Sequence, residues 1–319
     1  MKFIRNQSFG LAVLACAAAA YSFPGAFLSW GGVKLVTMVV PAIQLIMFGM
    51  GTTLSPSDFL SVAKSPWAVG IGVFLQFFIM PLVGFALAGL FGFSGELAAG
   101  CVLVGSVAGG TASNVVAYLA GANVALSVTM TCISTLLSPF VTPLLMKLLA
   151  GRFVDIDALK LMLESMKVVL VPVIAGGLVR YALRRLFETH AVLCGRVLSV
   201  VSMAGICFTI LAITAPSRGA FREAGFLIVA AAVLHNVVGY AGGYWLTRLL
   251  GRVLPLGETE ARTVAIEVGM QNSGMASALA VGVLGSEVAA LPANVFSIWM
   301  NFSGSVLASV WRKKARPSH

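Results

Sequence analysis

One acidic residue, Glu267, stands inside the apolar stretch 263–284, which is long enough to cross a bilayer. Burying an unpaired carboxylate in hydrocarbon costs several kcal/mol, so whatever this chain folds into must offset that charge. Directly after it come Gly269, Gln271, Asn272, Ser273 and Gly274, which are polar or helix-weakening. A broken helix at membrane depth is tolerated only where its freed backbone groups line a cavity or meet protein. An acid beside a break is how secondary transporters build an ion site near the midplane. Two plainer readings stand next to this one: a Glu paired with a buried base, or a glycine kink without function.

The rest of the chain supports a membrane setting. It is 59% hydrophobic and only 10% charged, against about 25% charged in a soluble protein. Hydropathy predicts ten spans, at 9–23, 33–54, 66–91, 97–119, 124–149, 159–187, 192–213, 226–250, 263–284 and 288–310, with short connections and no inserted soluble domain. The net charge of +10 sits between these spans and implies no nucleic-acid partner. With both termini inside, 14 of the 21 basic residues fall on the inner side, among them Lys2, Arg5, Lys64 and Arg316. The cluster from Lys147 to Lys167 runs against this bias and is diluted by Asp155, Asp157 and Glu164. Lys2, Arg5 and the apolar Leu11–Ala20 also resemble a secretory signal, and Val13-Leu14-Ala15-Cys16 a lipoprotein cleavage site. Cleavage there would leave nine spans. The five cysteines fall in apolar segments with no metal-ligand spacing, and are expected to be inert buried thiols.

Ten spans divide as five plus five, and an odd-numbered repeat must insert in opposite orientations. This makes one polytopic transporter domain, 1–319, with repeat one at about 1–152 and repeat two at about 153–319. The fourth span of each half is interrupted: Gly109-Gly110-Thr111-Ala112-Ser113-Asn114-Val115 in the first, Gly269-Met270-Gln271-Asn272-Ser273-Gly274 in the second. Paired interruptions at corresponding positions point to a transport site.

A hard monovalent cation wants several oxygen ligands. Ser113 and Asn114 supply them at the first break, and Glu267, Gln271 and Asn272 at the second. Ser127 and Thr131 are four apart, so both hydroxyls share one helical face. Taken alone, such hydroxyls also bond the preceding turn, and Gln76 in mid-span also suits a tie between helices. The second half of each broken helix begins with free N–H groups carrying partial positive charge, which suits an anion. His235 in its apolar span reads as a helix-packing residue.

The stretch from Val102 to Val115 and the stretch from Ala265 to Gly274 resemble the bile acid:sodium symporter family in its bacterial branch. Val124–Thr129, Leu234-His235-Asn236 and Phe296–Gly304 support the resemblance, which spans nearly the whole chain. It implies an all-α membrane protein of ten transmembrane helices in two inverted five-helix repeats. Spans 1, 2, 6 and 7 would form a panel, and spans 3–5 and 8–10 a core in which broken spans 4 and 9 cross. It also implies two sodium sites, one from Ser113, Asn114, Ser127, Thr131 and Glu267. The other would use Gln76, Glu267, Gln271 and the carbonyls of Val268 and Met270. Substrate would lie between panel and core near Thr111, Asn272 and Asn301. No cofactor is implied beyond Na⁺ as the coupling ion, and the setting is the bacterial cytoplasmic (inner) membrane. Many relatives carry Pro where Ala108 stands, so the first break must rest on Gly109 and Gly110. Bacterial relatives that bind bile acids can carry His where Met300 stands, which favours a small hydroxy acid such as ketopantoate, pantoate or pantothenate over a bile acid.

Other readings keep the fold and make Glu267 a proton carrier, or make the chain an arsenite-type or auxin-type efflux carrier. Arsenite would want a thiol at the crossover, and no Cys adjoins either break in sequence. A membrane enzyme would need a nucleophile–base pair or clustered ligands, which three scattered His residues do not supply. A channel would want a charged ring repeated by symmetry, which is not visible.

Overall fold

The computed structural model describes residues 2–54 and 65–314, with side chains described for 11–54 and 65–312. Lys64 and Arg316 lie outside the described residues. Each predicted span is helical over most of its length. In chain order the helices are α1 (Lys2–Ser22), α2 (Leu35–Thr53), α3 (Pro66–Leu90), α4 (Gly95–Ser106), α5 (Ala112–Ala120) and α6 (Val124–Ala150). They continue as α7 (Ala158–Ala182), α8 (Ala191–Thr214), α9 (Arg218–Leu250), α10 (Glu258–Gly269), α11 (Ser273–Gly282) and α12 (Glu287–Lys314). Among the described residues, six of these are long and apolar enough to cross a membrane: α2, α3, α6, α7, α8 and α9. The predicted stretches 97–119 and 263–284 are each two helices, α4 with α5 and α10 with α11, which is why neither half meets that length alone.

Local chemistry sets several boundaries. Between α1 and α2 a short hairpin pairs β1 (Ser29–Trp30) with β2 (Val33–Lys34). Its turn, Gly31-Gly32, has φ of 57° and 82°, which residues with a Cβ rarely adopt. Asn123, Asp157 and Asn272 cap α6, α7 and α11 by accepting the backbone N–H three residues on. α9 begins at Arg218, eight residues before the predicted span, because the apolar pattern marks only the part of a helix that meets lipid.

Two sets of helices follow from the packing. In one, α2 lies against α7 and α8, and α1 against α8. In the other, α9 packs on α10, α3 and α12, α3 on α4, and α12 on α4, α5 and α11. α1 buries Val13 and Ala20 and also touches α12, so it is built into the helical assembly. The expectation of five buried thiols holds for Cys101 and Cys132. Cys16, Cys194 and Cys207 are half-buried, because α1 and α8 are outer helices with one face off the protein. His235 does pack as a helix-binding residue: its Nε2 is 2.8 Å from the Met80 carbonyl and its ring meets Phe296 edge-on.

Candidate functional site

The two breaks meet. Gly110 N–H donates to the Met270 carbonyl and Asn272 N–H to the Ala108 carbonyl, both at 2.9 Å, forming an antiparallel bridge between Gly109 and Gln271. α4 ends at Ser106, so the first break opens at Val107, two residues before the glycines expected to cause it. Neither glycine has positive φ. Gly109 and Gly110 serve close approach instead: a Cβ on Gly109 would strike the Glu267 carboxylate, and one on Gly110 the Gln271 carbonyl.

A helix that stops inside protein must place its last carbonyls. The Ser106 carbonyl accepts Thr142 Oγ1 at 2.6 Å, Val107 accepts Gln76 Nε2 at 3.2 Å, and Ala108 accepts Asn272 N–H. On the other helix Glu267 accepts Met270 N–H, Val268 accepts Gln271 Nε2 at 2.7 Å, and Gly269 accepts Asn236 Nδ2 at 2.7 Å. Asn236 is held in turn by Ser303 Oγ at 2.7 Å. Its role is not visible in sequence beyond an amide in an apolar span; only the fold brings α9 against the break.

Glu267 is 1% exposed and makes no ion pair among the described residues, which removes the reading of a Glu paired with a base. Its partners are hydroxyls. Ser113 Oγ donates to Oε2 at 2.7 Å, Ser127 Oγ approaches Oε2 at 3.0 Å, and Thr131 Oγ1 donates to Oε1. Asn114 Oδ1 lies 2.8 Å from Ser127 Oγ and 3.4 Å from Thr131 Oγ1. Thr131 also reaches the Ser127 carbonyl at 3.0 Å, so the bond to its own preceding turn is present as well. The five residues of the first expected sodium set therefore come together from α5, α6 and α10.

Counting protons exposes what this cluster lacks. Six side-chain oxygens share three hydroxyl protons, and Ser127 and Thr131 each face more acceptors than one proton can serve. Hydrogen bonds to a charged group are worth about 1.5–3 kcal/mol each, which offsets part of a desolvation cost of several kcal/mol but supplies no positive charge. A surplus of oxygen lone pairs around a buried carboxylate fits a hard cation.

The second expected set assembles in part. Gln76 Nε2 donates to Gln271 Oε1 at 2.6 Å, and Gln271 reaches back to the Val268 carbonyl. Gln76 Oε1 is buried with no partner, an acceptor of the kind a cation uses. Gln76 thus both ties helices together and offers a ligand oxygen. The Met270 carbonyl is turned into the bridge with Gly110, while the Glu267 carboxylate goes to the hydroxyl cluster. Each carbonyl keeps a second lone pair.

A cavity of about 730 Å³ lies between α2 and α8 on one side and the first break on the other. It runs from the crossing toward Thr53 and Leu54 at the end of α2 and Gly195 near the start of α8, and among the described residues no charged one lines it. Asn114 and Thr131 belong to both its wall and the oxygen cluster. Thr111 and Asn301 line this cavity and a smaller recess of about 50 Å³ beside it; Asn272 lines only the recess. The expected substrate residues are thus brought to one place, with their chemistry altered by local bonds. Asn272 Oδ1 caps Met275 N–H, and its Nδ2 donates weakly to the Met47 sulfur at 3.9 Å. Asn301 Nδ2 bonds the Ser297 carbonyl at 2.7 Å, leaving its oxygen. The N–H groups of Gly110 and Asn272, expected to be free for an anion, are spent on the bridge. Cys132 lines the same cavity next to Thr131.

Comparison with known proteins places the chain in a family. A model of the Sodium Bile acid symporter family matches residues 40–223. An uncharacterized sodium-dependent transporter of Bacillus subtilis is 41% identical over 98% of this chain and 92% of its own length. A rice protein described as a probable chloroplastic sodium/metabolite cotransporter is 38% identical over 87% of this chain, which spans 64% of that protein. A similarly described protein of Arabidopsis thaliana is 35% identical over 86% of this chain and 67% of its own length. With its crossed helix breaks, its buried acid among hydroxyls and these relatives, the chain belongs to the Sodium Bile acid symporter family and is a multi-pass membrane transporter, not an enzyme.

Proposed function

We propose that the chain is a symporter that uses sodium to carry small hydroxy acids, pantoate-like compounds foremost, across the bacterial cytoplasmic membrane. The observation that carries this reading is the oxygen cluster around Glu267, rich in acceptors, poor in protons and sharing Asn114 and Thr131 with the large cavity. One sodium would be held by Ser113, Asn114, Ser127, Thr131 and Glu267. The other would use Gln76, Gln271, Glu267 and the carbonyls of Val268 and Met270. Sodium in the first set joins α5, α6 and α10 through ligands from all three, so its binding firms the wall against which the cargo rests.

The same reading takes the helices as ten transmembrane elements in two inverted repeats, about 1–152 and 153–319, with both termini cytoplasmic. α1, α2, α7 and α8 then form the panel, and the remaining helices the core. Matched breaks in the fourth element of each half support it, as does the packing of α2 on α7 and α8 and of α9 on α10, α3 and α12. Cargo would sit between them at Thr111, Asn272 and Asn301. Among the described residues the cavity has no Lys or Arg to grip a second carboxylate, and the N-terminal ends of α5 and α11 each carry roughly half a positive charge. One carboxylate is therefore matched and two are not. The acceptor left on Asn301 suits a cargo hydroxyl.

The test is uptake of labelled pantoate into proteoliposomes under an inward Na⁺, K⁺ or H⁺ gradient, with ketopantoate and taurocholate as competitors. Accumulation driven by Na⁺ alone and competed by ketopantoate is the expected result. Accumulation driven equally by H⁺ would make Glu267 a proton carrier. Strong competition by taurocholate without competition by ketopantoate would overturn the cargo and leave the sodium sites standing.

A further inference from the structure

The smaller recess contains a polar group that nothing so far uses. It lies on the side of the crossing away from the large cavity's far end, lined by Thr209, Gln271, Ser273, Ser277, Asn294 and Ser297 among others. Asn294, on α12, is 3% exposed. Its Oδ1 accepts from Ser277 Oγ at 3.2 Å, which orients the amide, and its Nδ2 is buried with no partner among the described residues. Turning the amide over would only exchange which end is orphaned. A buried donor left unpaired is costly, and native proteins keep few of them.

Size and charge narrow what could meet it. A recess of about 50 Å³ has room for a hydroxyl or a water and not for a whole organic acid. Among the described residues no charged one lines it, so it offers polarity without net charge. Thr111, Ala112, Asn301, Ile46 and Ile206 line both recess and large cavity, so a molecule resting at the crossing can place one substituent in each.

We propose that Asn294, oriented by Ser277, forms a polar subsite that reads a neutral oxygen of the cargo, a hydroxyl or carbonyl, while the carboxylate stays at the crossing. This deepens the hydroxy-acid reading above and rests on it. An apolar acid, or a steroid acid whose bulk fills the large cavity, leaves Asn294 unpaired and forfeits that bond. A hydroxylated small acid does not. The discrimination therefore comes from a site built to hydrogen-bond, which rejects analogues lacking the group far better than a hydrophobic wall does.

The experiment compares labelled pantoate with analogues lacking one or the other of its hydroxyls, in proteoliposomes holding wild-type protein, Asn294→Leu or Ser277→Ala. Wild type should favour pantoate over at least one analogue by about tenfold in KM, the worth of about one hydrogen bond. Asn294→Leu should raise the KM for pantoate by about tenfold, to the level of that analogue, with kcat and the analogue's own KM unchanged. Ser277→Ala should move it part of the way. Sodium-dependent melting of the purified protein reports folding and ion binding separately; if Asn294→Leu loses it, Asn294→Ser is read in its place by the same rule. A preference kept intact in the leucine or serine variant overturns the subsite and leaves the recess to water. A wild type that melts higher in sodium yet takes up no pantoate overturns the cargo reading and the subsite with it. A preference present in wild type and lost in the variant, without any response to sodium, supports the subsite and overturns the sodium reading instead.

Discussion

Glu258 and Glu267 lie nine residues apart on the same helix, α10, and are treated in opposite ways. Glu258 is about two-fifths exposed at the helix start, with Arg262 Nε at 2.8 Å, Arg248 Nε at 3.6 Å and the Tyr244 hydroxyl at 2.8 Å. Burial opposes its ionisation, but the bonds from Tyr244 and Arg262 and the two arginine charges outweigh that and hold its carboxyl below the usual range. Glu267 is buried with hydroxyls and an amide oxygen for neighbours. Arginines neutralise the first of these charges, while the second has no ionic partner among the described residues. On the reading proposed above, a bound sodium ion neutralises it.

The sharpest way to break this contrast is to remove the waiting charge. Glu267→Ala should abolish sodium-dependent uptake, a loss of about a hundredfold or more, because no other acid lies among the cluster residues to replace it. Wild-type protein in detergent should melt higher in Na⁺ than in K⁺ at equal ionic strength, since a ligand that binds only the folded state stabilises it by mass action. Glu267→Gln should erase the difference. Normal sodium dependence in either variant would remove Glu267 from the site.

Gly109→Ala keeps the charge and spoils its setting. The added methyl meets the Glu267 carboxylate and must push it or the bridge aside, an overpacking cost of about 1–3 kcal/mol. Sodium-driven uptake should fall by about tenfold or more while the protein still inserts. Unchanged uptake would mean that the two breaks do not need their present separation.

Gln76→Leu tests the second group of oxygens alone. It removes the orphaned Oε1 and the tie to Val107 and Gln271, and should raise the half-saturating sodium concentration by about three- to tenfold, the worth of one net hydrogen bond or ligand. A drop in melting temperature with no change in the sodium dependence would reduce Gln76 to a helix tie.

The smallest effect belongs to the self-neutralised acid. Glu258→Gln should cost less than about 1 kcal/mol and leave sodium dependence intact, because the pair is exposed and screened. The sign with pH follows from its depressed carboxyl. The stabilisation is present above the unfolded carboxylate range, near pH 4, and is lost as pH falls through the lower folded value. Melting of wild type and variant should therefore converge in acid. A sodium defect in Glu258→Gln would blur the distinction between the two acids.

Much of the site was legible because membrane depth makes polar residues conspicuous. Glu267 in an apolar stretch, the two Gly-rich interruptions, and Ser127 with Thr131 at helical spacing all stand out against hydrocarbon, where each must have a reason. Asn294 and Asn236 are as polar and as deep, yet the first goes unnamed and the second enters only within Leu234-His235-Asn236, because an isolated amide in a span carries no sign of what it will face. The start of the first break at Val107 was also missed; sequence favoured the glycines, whereas α4 stops where Thr142 and Gln76 can take its carbonyls.

By itself, then, the sequence determined that the chain is membrane-embedded, that its helices break at two matched places, and that one acid lies at membrane depth beside a break. Those properties depend on composition and local order, since charge, apolarity and helix propensity are carried residue by residue. Only the tertiary structure decided that Ser113, Ser127, Thr131 and Glu267 share one set of protons, that the breaks spend Gly110 and Asn272 N–H on each other, and that Asn294 is left facing a recess. Hydrogen-bond partners more than a hundred residues apart are chosen by how helices pack, and packing is a property of whole faces rather than of any one stretch.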